Sequence, residues 1–162
     1  MLARFTAVAG ALLLLAACSS TPETGPAPGG PGGGPGGVGS GRFAPGSQQD
    51  LAATAGDRVF FGYDRADISS EARQILGRQA DWLKRYGNVS VTIEGHCDER
   101  GTREYNLALG ERRAQAVKNV LVAMGIPSAR ISTISYGKER PAVVGSSNES
   151  YAQNRRGVTT IN

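Results

Sequence analysis

The side chains able to do chemistry are gathered in one stretch, EGHCDERGTREYNLALGERRAQAV, residues 94–117. It holds the single histidine, His96, beside Cys97, followed by Asp98, Glu99, Arg100 and, further on, Arg113. Nucleophilic and metal chemistry are poorly served by this set. Side chains at successive strand positions point to opposite faces, so His96 and Cys97 can neither form a nucleophile and base dyad nor share a metal. A hydrolase needs paired carboxylates or a nucleophile with its base, and Asp98 and Glu99, although adjacent, have no such partner. His96 is therefore expected to be a polar structural residue and Cys97 a small buried hydrophobe, and no metal or cofactor is expected. What remains is charge recognition. Asp98, Glu99, Arg100, Gly101 and Arg113 can surround one cleft that receives an ion.

The flanking sequence must supply the elements that bring these residues together. RVFFGYD, residues 58–64, is β-branched and aromatic and reads as a strand. Ser69 or Ser70 can cap a helix with Glu71 in its first turn. Along it Ala72, Ile75, Leu76, Gln79, Trp82, Leu83 and Tyr86 recur at three- and four-residue spacing up to a stop at Gly87 and Asn88. VSVTIEG, residues 89–95, alternates apolar and polar as a half-buried strand does. A second helix carries Ala116, Val117, Val120, Leu121 and Met124 and ends at Gly125 and Pro127. Residues 131–137 and 155–162 read as two further strands, with an irregular or short helical connection between them. The order β-α-β-α-β-β predicts an α/β sandwich, both main helices lying on one face of a mixed four-stranded sheet.

The start of the second helix decides where Arg113 sits. Counted from a cap at Thr102, Arg113 would stand about 16 Å up the helix axis, far from the loop that begins at Gly95. Gly110 is an acceptable N-cap and a poor interior residue. A main helix from Gly110, approached by irregular chain over residues 102–109, would put Arg113 in its first turn and leave N-terminal amides free for an anion.

Length and composition bound the rest. Of 162 residues, the 25 from Pro22 to Gly46 hold 11 of the 23 glycines and 6 of the 8 prolines, too few side chains for a core. Upstream, one charge at Arg4 leads into AVAGALLLLAA, which has the length and flanks of a secretory signal rather than of a spanning helix. LAAC resembles the lipobox of bacterial lipoproteins, which implies cleavage before Cys18 and lipidation of that cysteine. Ser19, in place of an inner-membrane-retaining Asp, implies the outer membrane. The expected organisation is a signal peptide over residues 1–17, a lipidated Cys18 with a flexible tether over 18–55, and one folded domain over 56–162. A coil of that length has a mean span of roughly 35 Å and reaches about 120 Å when stretched. With Cys18 modified, Cys97 is left without a disulfide partner. The isoelectric point is near 9.4, but from Asp57 onward 16 basic and 12 acidic residues are interspersed, and an exported chain is a poor candidate for nucleic-acid binding.

VFFGYD, the central stretch, ISTISYGKERPAV and QNRRGV together resemble the OmpA-like peptidoglycan-binding domain over nearly all of residues 59–161. The lipobox and tether point, within that family, to the peptidoglycan-associated lipoproteins rather than to its β-barrel or flagellar-stator members. The resemblance implies binding, without cleavage, of the diaminopimelate side chain of the peptidoglycan stem peptide, the alternative being a peptidoglycan-processing hydrolase. It assigns the ligand's ammonium to Asp98 and its carboxylate to Arg113, with Gly101, Thr102, Asn106, Leu109, Phe61, Gly62 and Tyr63 as further contacts. Replacing Asp98 or Arg113 is then expected to abolish retention on peptidoglycan and to leave the fold intact. The resemblance also implies TolB and other Tol proteins as partners, and a place at the outer membrane facing the periplasm, in envelope integrity and cell division. This chain departs from the family at Gly62, where Asp is common, and at Cys97, where Ala or Thr is.

Overall fold

The computed structural model describes residues 43–162. The lipobox, Cys18 and most of the expected tether lie outside the described residues. The elements are α1 (Gln48–Thr54), β1 (Arg58–Phe60), α2 (Ser70–Arg85), β2 (Val91–His96), α3 (Arg103–Ala123), β3 (Ile131–Gly137), α4 (Asn148–Asn154) and β4 (Arg156–Ile161), with one 3-10 turn at Ser128–Arg130. The four strands form one mixed sheet in the order β1-β4-β2-β3. β2 and β3 run parallel, joined through α3, and β4 is antiparallel to both β1 and β2. This is the α/β sandwich the sequence predicts.

The core takes most of the helix residues the periodicity singles out and adds Ala80 and Ala114, while Ala116 is only half-buried. Leu76, Ala80, Trp82 and Leu83 of α2 and Ala114, Val117 and Leu121 of α3 close over Val59, Val91, Ile93 and Ile131 of the sheet. Between the two serines ahead of α2, Ser69 is the cap: its hydroxyl accepts from the Ala72 amide at 3.1 Å. Gln79 is polar within that core and satisfied there, donating to Gly56 O and accepting from the Thr159 hydroxyl.

Three expectations are corrected. The folded part begins before Gly56: α1 is capped by Ser47, buries Leu51 completely, and fixes Asp50 Oδ2 against the Trp82 indole N–H at 3.1 Å. Gln48 gives this short helix a second purpose. Beyond the three residues paired with β1, the Gln48 side-chain amide donates to Thr159 O and accepts from the Ile161 amide, supplying β4 with a substitute ladder partner. Next, β1 ends at Phe60 instead of continuing to Asp64. The Phe61 amide still bonds Arg155 O, but the chain then turns, with Asp64 in the left-handed region at φ 54°. β2 starts two residues later than expected and ends one residue later, at His96, and β4 is one residue shorter at each end.

The third correction concerns α3, which starts at Arg103 with Thr102 as its cap, so Gly110 is interior. The glycine is needed there for a different reason. A Cβ on Gly110 would stand 2.9 Å from Gly95 O and 2.3 Å from Ser135 Oγ, and one on Gly95 would stand 1.8 Å from Gly110 O. α3 thus crosses β2 with the two backbones in contact, and that proximity brings a residue far along the helix to the end of the strand.

Candidate functional site

Where β2 runs out, the loop of residues 97–102 folds back against α3 and encloses a cavity of about 250 Å³. Asn106 holds the loop closed, its amide donating to Arg100 O at 2.8 Å and Thr102 O at 3.0 Å. Lys138, following β3, donates to Glu99 O and Gly101 O from the other side. Gly101 sits at φ 91°, a conformation that a side chain would strain.

The cavity floor is ionic. Asp98 is 4% exposed. Its Oδ1 accepts from the Arg100 amide at 3.2 Å and Arg100 Nε at 3.1 Å, and its Oδ2 accepts from Arg100 Nη2 at 2.6 Å and Arg155 Nη1 at 3.2 Å. Burial works against the charge of this carboxyl, but the Arg100 and Arg155 hydrogen bonds outweigh it and hold its pKa below the ordinary aspartate value. Arg113, fully buried, extends from α3 into the junction of three segments. Its Nε donates to Arg65 O at 2.8 Å, Nη1 to His96 O at 2.8 Å and Nη2 to Gly62 O at 3.0 Å. Burial lowers its pKa from the ordinary arginine value without discharging it.

The charges do not balance. All three acceptors of Arg113 are neutral carbonyls, and Asp98 is already shared between Arg100 and Arg155. Three of the five guanidinium N–H groups are used, which leaves two. Among the described residues this leaves a buried cation with spare donors and no carboxylate of its own, an arrangement suited to taking an anion.

Of the expected site residues, Asp98, Arg113, Gly101, Asn106, Leu109 and Tyr63 line the cavity. Thr102, Phe61 and Gly62 do not. Thr102 caps α3, while Phe61 and Gly62 lie behind Arg113, the Phe61 ring 5.1 Å from its guanidinium and Gly62 as one of its acceptors. The free helix amides expected at Gly110 are absent, since that position lies inside α3. Arg113 reaches the site because the Gly95–Gly110 crossing places its turn of α3 beside the strand end.

Arg155, Asp64 and Tyr105 also line the cavity and are not among the expected contacts. Arg155 lies 57 positions from Asp98, its Nε bonded to Phe61 O. Its only sequence signal is its place in QNRRGV. Asp64 accepts from the Tyr105 hydroxyl at the rim.

His96 and Cys97 are both buried at the end of β2. Cys97 is buried and its thiol donates to Asn106 O. The His96 ring is 2% exposed, with Nε2 3.4 Å from Glu94 Oε2 and the ring beside Tyr136. Burial, with the nearby Arg156 and Arg140 charges, pushes its pKa down to about 4. An unfolded histidine takes up its proton near pH 6.5, at roughly the ordinary value. The stabilisation from keeping His96 neutral is therefore whole above that pH, is lost as pH falls through 6.5, and changes no further below about 4. Urea unfolding should show a loss of about 2 kcal/mol between pH 7 and pH 5, and a His96→Asn variant should lack most of that slope.

Comparison with known proteins agrees with this architecture. A family model described as the OmpA family matches residues 60–155. The chain is 54% identical over 123 residues to the peptidoglycan-associated lipoprotein of Agrobacterium fabrum, covering 76% of this chain and 70% of that protein. It is 44% identical over 157 residues to the protein of the same name from Pseudomonas aeruginosa, covering 94% of this chain and 93% of that one. Among solved structures, the peptidoglycan-associated lipoprotein from Burkholderia pseudomallei superposes with a TM-score of 0.64 at 38% identity, over 65% of this chain and 90% of that one. The C-terminal domain of Helicobacter pylori MotB shares the fold at 23% identity, with a TM-score of 0.59 over 65% of this chain and 84% of that one. With the family model matched from the last residue of β1 to the residue before β4, and relatives of this similarity, the chain belongs to the OmpA family.

Proposed function

We propose that this chain is a non-enzymatic peptidoglycan-binding lipoprotein, and that the cavity takes the free end of the diaminopimelate side chain. That end carries a carboxylate and an ammonium on one carbon, so its receptor needs a cation and an anion side by side with little freedom to move. The observation that carries the reading is the buried guanidinium of Arg113, bonded only to carbonyls among the described residues, lining the same cavity as the carboxylate of Asp98. Arg113 receives the ligand carboxylate through its two spare N–H groups, and Asp98 receives the ammonium. Charge-assisted hydrogen bonds of this kind contribute about 1.5 to 3 kcal/mol each. Leu109 walls the methylene chain, and Gly101 permits the loop conformation.

On the same reading, Cys18 carries the lipid that holds the chain at the outer membrane, and the Gly/Pro-rich segment lets the domain reach the cell wall. Envelope integrity during cell division follows from linking the two. TolB and other Tol proteins are the proposed protein partners, with TolB competing with peptidoglycan for the cleft. Co-sedimentation with isolated diaminopimelate-type peptidoglycan tests the binding. The wild-type chain should pellet with the wall without releasing soluble fragments, and Asp98→Ala should stay in the supernatant. Equal pelleting of both would remove Asp98 from the site.

A further inference from the structure

The free protein already holds a cation where the ligand's ammonium is proposed to go, and that cation is its own Arg100. The Arg100 guanidinium lies 4.1 Å from the centre of the Tyr63 ring and 4.4 Å from that of Tyr151, while its Nη2 is 2.6 Å from Asp98 Oδ2. Two aromatic faces and a carboxylate around one positive charge make a cation receptor. We propose that Arg100 is an internal stand-in for the ligand's ammonium: it occupies the Tyr63–Tyr151–Asp98 site in the free protein and must swing out for diaminopimelate to bind. This inference rests on the proposed function above.

The hydrogen-bond capacity of Asp98 requires the exchange. A carboxylate offers about four lone-pair positions. Here four donors use them: the Arg100 amide and Nε on Oδ1, and Arg100 Nη2 and Arg155 Nη1 on Oδ2. An arriving ammonium finds no acceptor until one donor group leaves. Departure of the Arg100 side chain frees one position on each oxygen and keeps the two that fix the carboxylate's orientation.

Of the three guanidinium groups at the cavity, Arg100 is the one free to go. Its side chain is 36% exposed, and its hydrogen-bond acceptors are confined to Asp98. Arg155 is 15% exposed and bonded to Phe61 O, and Arg113 is tied to three carbonyls. The backbone need not follow, because Arg100 O is held by Asn106. The closed arrangement lowers apparent affinity by the fraction of molecules in which the site is occupied by Arg100.

The test is a stopped-flow titration of the full chain and its Arg100→Ala variant with the tripeptide L-Ala-γ-D-Glu-meso-diaminopimelate. A second tripeptide, ending in 2-aminopimelate, lacks the distal amino group. Removing Arg100 should tighten binding of the first peptide by about tenfold, the scale set by one partly exposed ion pair and its cation–π contacts. The gain should come from faster association, and the second peptide should show none. Adding Tyr63→Leu should cancel part of the gain by removing one ring face. Unchanged or weaker binding by Arg100→Ala of a peptide that the wild type binds would overturn the stand-in role, as would an equal gain with both peptides. Failure of both proteins to bind the first peptide would instead bring down the diaminopimelate reading on which the inference rests.

Discussion

Arg113→Ala is expected to destabilise the protein by about 3 to 5 kcal/mol as well as to abolish peptidoglycan binding, because this side chain also holds the site together. Its removal takes a hydrogen bond from each of Arg65 O, His96 O and Gly62 O, the last keeping only the 3.4 Å bond from the Arg65 amide, and opens a void among Phe61, Cys97 and Leu109. The sequence-based expectation that either member of the charged pair could be lost with the fold intact therefore separates into two cases. Asp98→Ala removes an acceptor whose donors, Arg100 and Arg155, reach solvent to differing degrees, so the loss should fall chiefly on binding. Arg113→Lys discriminates further. A lysine ammonium keeps the charge but cannot direct donors to three carbonyls in the plane of a fork, so it should recover part of the stability and little of the binding. Urea unfolding midpoints, measured alongside co-sedimentation, check both effects.

The second large effect is at a position with no side chain. Gly95→Ala should cost more than about 4 kcal/mol or prevent folding, since overpacking against backbone has no rotamer to relieve it. The added Cβ would stand 1.8 Å from Gly110 O and 2.6 Å from Gly110 C. Relief requires α3 to move off β2, which would also withdraw Arg113 from the strand end. Gly77→Ala is the contrasting substitution. It lies on α2 with nothing within 4 Å of the added methyl, and should stabilise by about 0.5 to 1 kcal/mol through helix propensity alone. Thermal unfolding of the two variants should move in opposite directions.

These two cases show which parts of the molecule could be read from sequence. The α2 stripe, the alternation in β2 and the Ser69 cap are local patterns, and local patterns fix periodicity and burial directly. Asp98 and Arg113 were legible through their motif, but the means by which they meet was not. Gly110 looks like a helix start because glycine is poor inside helices. Its actual reason, backbone contact with Gly95, is a long-range fact that propensity does not express. Leu51 follows a Gly/Pro-rich run with little periodic pattern around it, and the long-range contacts that make α1 part of the domain, Leu51 in the core, Asp50 on Trp82 and Gln48 on β4, have no local signal. Arg155 and Tyr151 meet Asp98 and Arg100 through the return of β4 into the sheet, a pairing invisible in a stretch of 57 positions. The departure at Gly62 proves compatible with the site. Its carbonyl, rather than a side chain, is what Arg113 uses.

On the proposed reading, the cavity recognises a carboxylate and an ammonium on one carbon. Calorimetric titration of the full chain with L-Ala-γ-D-Glu-meso-diaminopimelate, set against the same peptide ending in L-lysine, tests it most directly. Lysine keeps the ammonium at the end of a similar chain and omits the carboxylate, so Arg113 would be left buried without its anion. Saturable binding of the diaminopimelate peptide is expected, with about 30- to 150-fold weaker binding of the lysine peptide, from about 2 to 3 kcal/mol of lost charge-assisted bonding. Equal heats and affinities for the two peptides would contradict it.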